Sequence, residues 1–454
     1  MRKLLQQLHA RLGDFWWYSL VLFCACRTAD VLNAFVGLWL VPKYVDPSEL
    51  GAVMPLTQFA NFLAIPVAAF ANTFRNELTR LSIGKEFGKL KTLMRGVFAA
   101  TAIFLFLAIV IARFLLPAFL ERIRIVEGSL GIVIIAASFV SAVAPIYSNA
   151  LQALKKFKAQ SLLSIVGAPV RLIAMLIAMP FRAITGYFVG QAASPAFGIV
   201  TSVIALRKEL SVKAEPYWTN GTVRQFLKVL GIFLLTGGTS GFFLLVESTV
   251  IRQRLPDLDS AGYYMATRFS DIATFLTATL LFTIFPFAAE KANKRENTRP
   301  LIIKSLVANA CFCLSLAMPF MFLGRTILTL LPHGEQYANY WWSIPWLIGN
   351  NFLMSIAGLY TTTEFSANRF GFLKWYIPLD IAYPFLLLLV TGHGYVAGLI
   401  PTPWTEFLAA HNIYSLKTML FWITAINAIK AIGCIGAMTR QKSNSEEKKP
   451  RPPL

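Results

Sequence analysis

The chain alternates long apolar runs with short polar or basic segments, and the period of that alternation is the length of a membrane-crossing helix. Runs of mostly apolar residues begin at Tyr18–Val41, Leu50–Thr73 and Met94–Pro117. About 20 such residues, coiled as a helix, cross a hydrocarbon layer of about 30 Å. Continued along the chain, the pattern predicts twelve spans: 16–41, 50–73, 94–117, 128–152, 160–181, 183–206, 228–251, 261–289, 301–324, 337–361, 375–397 and 415–438. The division between the fifth and sixth rests on Pro180, Phe181 and Arg182. The expected fold is an all-α polytopic membrane protein.

Composition agrees: 56% of the 454 residues are hydrophobic and 14% charged. A soluble chain carries about 25% charged residues, so a soluble globule is excluded. The net charge of +20 raises the question of nucleic acid, and the placement of the charges answers it. Twelve spans put both termini on one side, and that side receives 29 of the 42 lysines and arginines, among them Lys85, Lys89, Lys91, Arg207, Lys208, Lys291 and Arg299. Nine lie on the other side and four, Arg27, Arg171, Arg268 and Lys430, inside spans. This is the positive-inside pattern of a plasma (inner) membrane protein with cytoplasmic termini, and it leaves no role for nucleic acid.

At the N-terminus Leu4, Leu5, Leu8 and Leu12 recur at helical spacing before Trp16, Trp17 and Tyr18. That is the pattern of a short interfacial helix followed by headgroup-level aromatics, and no cleavage site follows the first run. The polar tail 439–454 reads as disordered. All five cysteines (Cys24, Cys26, Cys311, Cys313, Cys434) fall in spans. The two Cys-x-Cys pairs point to different helix faces, so neither metal nor cofactor is expected.

An internal repeat organises the spans. Asp46-Pro-Ser-Glu-Leu-Gly51-Ala-Val-Met54 follows the first span and Asp257-Leu-Asp-Ser-Ala-Gly262-Tyr-Tyr-Met265 the seventh. Both read Asp-x4-Gly-x2-Met, and both open a long helix that ends in a basic segment. The repeat predicts an N-terminal lobe (1–208), a linker (209–227), and a C-terminal lobe (228–438), six helices in each lobe, with a central cavity between them.

Several segments resemble a known family. Leu40-Val-Pro-Lys-Tyr-Val-Asp-Pro-Ser-Glu-Leu-Gly51, with Arg75-Asn-Glu-Leu-Thr-Arg80 after the next helix, resembles the opening of polysaccharide exporters. Glu247-Ser-Thr-Val-Ile, Ala261-Gly262-Tyr263-Tyr264 and Ile284-Phe-Pro286 resemble the start of their second half. These are the lipid-linked oligosaccharide flippases of the multidrug/oligosaccharidyl-lipid/polysaccharide superfamily. The resemblance implies alternating access, a polyprenyl-pyrophosphate sugar as substrate and a monomer. A polysaccharide polymerase or glycosyltransferases would be its neighbours. Where that family often has an aspartate in its seventh helix, this chain has Glu247.

Charge inside the bilayer costs on the order of 2.5–3.5 kcal/mol on insertion scales and calls for a partner or a watery cavity. Arg27 and Asp30, like Arg268 and Asp271, are three residues apart on one helix face. They either hold helices together or line a hydrated path. Arg171 and Lys430 have no carboxylate within a turn. They suit a phosphate, gripped by two hydrogen bonds from arginine or by the point charge of lysine, or else they pair across helices with Glu247 or Asp380. Transport driven by protons or sodium would fall to Asp30, Glu247, Asp271 or Asp380, since no histidine lies well inside a span. Two other readings stand beside the flippase: an ion-coupled multidrug or cation antiporter, and a polytopic glycosyltransferase using the acidic pair Asp46 and Glu49. The recurrence of Asp46 at Asp257 favours a structural junction over an enzyme.

Overall fold

The computed structural model describes residues 29–125, 129–154, 156–218, 220–293, 298–366, 369–390 and 415–447. Among the described residues no strand occurs, and a helix lies at each of the twelve expected spans. They are α1 (29–44), α2 (Val53–Ile83), α3 (Phe87–Arg122), α4 (Ser129–Ala153), α5 (Phe157–Ala178) and α6 (Ala183–Leu210), then α7 (Asn220–Arg254), α8 (Asp257–Asn293), α9 (Arg299–Thr329), α10 (Ser343–Ser366), α11 (Leu373–Val390) and α12 (Leu416–Glu447). The N-terminal segment before Ala29, the loop 391–414 and the end of the tail lie outside the described residues, as do Arg27, Cys24 and Cys26.

Helix ends follow local chemistry. Within α1 the turn Val36–Leu40 is π-helical, with the Val41 N–H bonded to the Val36 carbonyl. The next residue, Pro42, has no N–H to give, which favours such a shift of register. Asp46 then caps a single-turn helix, Pro47–Leu50, accepting from the Ser48 N–H at 2.9 Å and the Ser48 hydroxyl at 2.7 Å. The break between α5 and α6 falls at the expected place: Arg182 is extended (φ −151°) and Phe181 is 84% exposed. This hairpin closes on small residues. A Cβ on Gly186 would lie 2.5 Å from the Ala178–Met179 backbone, and one on Gly190 would lie 2.1 Å from the Met175 side chain.

Three boundaries differ from the sequence reading. The helices α6 and α7 extend into the presumed linker, leaving 211–219 between them. The last helix runs past Met438 to Glu447, because nothing before Pro450 stops it. The chain divides after Thr249, inside α7, into two compact units, Met1–Thr249 and Val250–Leu454.

The two units share part of one packing order. In the first, α2 packs on α4, α4 on α6 and α5 on α6. In the second, α8 packs on α10 and α10 on α12, which repeats the first two of these contacts, while α9 on α10 takes the place of the α5–α6 contact. Each also has a dense apolar cluster at the equivalent, basic ends of its helices. One gathers Phe74, Leu78, Leu90, Leu93, Leu151 and Leu206, and the other Ile284, Ile302, Leu359, Tyr360, Phe372 and Cys434. Along the apolar lengths of the helices large side chains turn outward: Phe106 is 65% exposed, Phe114 76% and Phe322 77%. Such surfaces are untenable in water and ordinary in lipid. Among the described residues, six helical segments meet both the length and the apolarity needed to cross a membrane, Leu130–Leu151 and Arg299–Thr329 among them.

Candidate functional site

In the first unit, Arg171 on α5 reaches α1, where its Nη1 donates to Asn33 Oδ1 at 2.6 Å. Asp30 stands three residues before Asn33, on the same face of α1. All three are partly buried, so a guanidinium, an amide and a carboxylate occupy neighbouring turns of two helices. Glu247, on α7, is 6% exposed. The pair that Asp30 was expected to make with Arg27 lies outside the described residues.

In the second unit, Arg268 Nη1 is 3.1 Å from Asp271 Oδ2, one turn apart on α8, and the guanidinium lies 5.3 Å from the centre of the Tyr264 ring. Lys430 of α12 is ion-paired with Asp380 of α11, and its ammonium is 5.1 Å from the centre of the Tyr376 ring. Of the two arrangements open for Lys430, the cross-helix pair is the one found. Coverage separates the two pairs. Arg268 and Asp271 are 23% and 35% exposed, while Lys430 and Asp380 are 5% and 0% exposed. An ionised pair left partly open within a membrane span cannot rest against acyl chains at tolerable cost. The Arg268–Asp271 pair is therefore placed to meet water or polar groups, and the Lys430–Asp380 pair is closed to water.

Uncharged polar residues extend these clusters. Asn309 on α9 donates to Ser355 Oγ of α10 at 2.7 Å and accepts from Thr277 of α8 at 3.1 Å. Asn351 donates to the Ser270 carbonyl at 2.9 Å, and Asn427 to Asn350 Oδ1 at 2.9 Å. The second unit is thus laced by polar side chains from α8 through α9, α10 and α12. The repeated turn aspartates have structural work: Asp46 caps a helix, and Asp257 is 2.9 Å from Arg252, whose side chain is 2% exposed. Among the described residues no three His, Cys, Asp or Glu side chains gather as a metal site would need.

The architecture is that of an all-α polytopic membrane protein. It is similar to a solved lipid II flippase MurJ in an inward closed conformation (TM-score 0.65, 14% identity, covering 92% of this chain and 87% of that one). It is similar to an inward-facing multidrug resistance MATE family transporter of the MOP superfamily (0.64, 12%, 93% and 96%). A MOP superfamily transporter from Pyrococcus furiosus matches as well (0.62, 13%, 96% and 98%). At these identities the likeness is one of fold. No family model matches the chain, and no curated protein matches its sequence.

Proposed function

We propose that this chain is a membrane flippase that carries a polyprenyl-pyrophosphate oligosaccharide from the cytoplasmic to the outer leaflet by alternating access, for cell-surface polysaccharide biosynthesis. Both termini are cytoplasmic in this reading, as the skewed distribution of lysine and arginine requires. The observation that carries it is the partly open Arg268–Asp271 pair. Asp271 and the Tyr264 ring hold the guanidinium in one orientation, and a planar fork so held can offer two parallel hydrogen bonds to a phosphate oxygen pair. Arg171, oriented by Asn33, supplies the same chemistry in the first unit, and Arg27, outside the described residues, is assigned the same role from its sequence position.

Lys430 is assigned to fastening α11 to α12, because its charge is already balanced by a sealed carboxylate. For the same reason a coupling proton or sodium ion falls to Asp30, Glu247 or Asp271 before Asp380. A second reading is an ion-coupled multidrug or cation antiporter, favoured by a fold likeness to the MATE transporter that equals the likeness to the flippase. Expression in a strain lacking its own oligosaccharide flippase separates the two. Restored surface polysaccharide with unchanged drug susceptibility supports the flippase; raised drug resistance without restored polysaccharide supports the antiporter.

A further inference from the structure

A cavity of about 430 Å³ opens at the basic end of α3 and α4, lined by Lys91, Met94, Arg95, Phe98, Ala99 and Tyr147. We infer that it binds the phosphate-bearing headgroup of an anionic membrane phospholipid, a lipid distinct from any cargo.

Lys91, Arg95 and Phe98 follow one another at helical spacing on a single face of α3. Lys91 spends one of its three N–H donors on the Val212 carbonyl at 2.9 Å, and two remain. Arg95 is exposed and makes no hydrogen bond or ion pair among the described residues. The hydroxyl of the half-buried Tyr147 is likewise unbonded among them. Two cations and a hydroxyl donor, all with capacity to spare, thus border one cavity. Their chemistry suits a phosphodiester: a fork and an ammonium for its charge, a hydroxyl for a further oxygen.

The rest of the face decides between a free phosphate and a lipid. Phe98, Phe106, Val110 and Phe114 continue from Arg95 into the apolar length of α3, and all are exposed. With Ala102 between Phe98 and Phe106, they form a ridge of four-residue steps along which an acyl chain can lie. A soluble phosphate would use the cations and leave the ridge idle. A zwitterionic lipid would bring its own cation against Arg95. An anionic phospholipid satisfies both ends. The inference rests on membrane insertion and not on the transport reading, so the two fail separately.

The test is native mass spectrometry of the full chain in detergent, titrated with phosphatidylglycerol or phosphatidylcholine. Wild-type protein should retain one phosphatidylglycerol in preference to phosphatidylcholine. Arg95→Gln should weaken that binding about fivefold or more, the loss of one basic contact near the surface. Tyr147→Phe should weaken it less, and Arg207→Gln, an exposed charge elsewhere on the same side, should not. Equal retention of the two lipids, equal weakening by Arg95→Gln and Arg207→Gln, or displacement of the lipid by millimolar inorganic phosphate would overturn it.

Discussion

Lys430 and Asp380 form an ion pair sealed between α12 and α11, with side-chain exposures of 5% and 0%. A pair so buried contributes little over a well-packed apolar one, but losing a single partner strands a charge at a cost of about 3–5 kcal/mol. Lys430→Ala and Asp380→Ala should each lower Tm in detergent sharply or abolish accumulation. The double variant Lys430→Met with Asp380→Leu should recover most of the loss. A single variant as stable as the wild type would show that the charges are not paired.

Asn33 helps to orient Arg171, through a bond of 2.6 Å. A hydrogen bond to a charged group is worth about 1.5–3 kcal/mol, or roughly a tenfold to hundredfold effect. Asn33→Ala should therefore lower transport by that order, and Arg171→Ala should do the same, with membrane protein levels retained. Immunoblotting beside complementation measures both, and normal complementation by Asn33→Ala would remove the pair from the site.

The segment 211–218 is fastened to the start of α3. Glu215 N–H donates to the Gly88 carbonyl at 3.2 Å, Thr92 Oγ1 to the Glu215 carbonyl at 2.6 Å, and Trp218 lies over Gly96. A Cβ on Gly88 would lie 2.7 Å from Glu215 Cγ and 2.8 Å from the Lys213 carbonyl oxygen. Gly88→Ala should lift the segment and hasten tryptic cleavage at Lys213. Thr92→Val, which removes one hydrogen bond worth about 1 kcal/mol, should hasten it about fivefold. Unchanged cleavage in both would contradict the docking.

Gly262 closes the repeated turn against Tyr340. A Cβ there would stand 2.5 Å from the ring carbons, and the Tyr340 hydroxyl is held by Asp259. Overpacking of this kind costs about 1–3 kcal/mol. Gly262→Ala should lower Tm, and adding Tyr340→Ala should relieve the clash. A wild-type Tm for Gly262→Ala would mean that the turn can widen.

Much of this fold was legible as a rhythm of apolar runs, because a membrane span leaves so little freedom in length and composition. Even the short break at Pro180–Arg182 was readable. Less legible were the points where a helix outlasts its apolar run. Arg252 and Glu364 fall just beyond the expected spans 228–251 and 337–361, yet they are buried at 1% and 5% near the ends of α7 and α10. Asn33, Asn309, Asn350 and Asn427 escaped notice because an amide is cheap enough in a span to carry no alarm, unlike a charge. The partner of Lys430 could be narrowed to two carboxylates by sequence but not chosen, since the choice depends on which helices pack.

The central claim is that the open pair Arg268–Asp271 meets the phosphate of a lipid-linked sugar, and a reconstituted assay tests it most directly. Proteoliposomes holding wild-type or Arg268→Ala protein would be loaded with a labelled polyprenyl-pyrophosphate oligosaccharide, and its appearance in the opposite leaflet followed with time. The account predicts rapid translocation by the wild type and a rate at least about tenfold lower for Arg268→Ala at equal protein content. Equal rates for the two proteins, or no translocation by the wild type above protein-free liposomes, would contradict it.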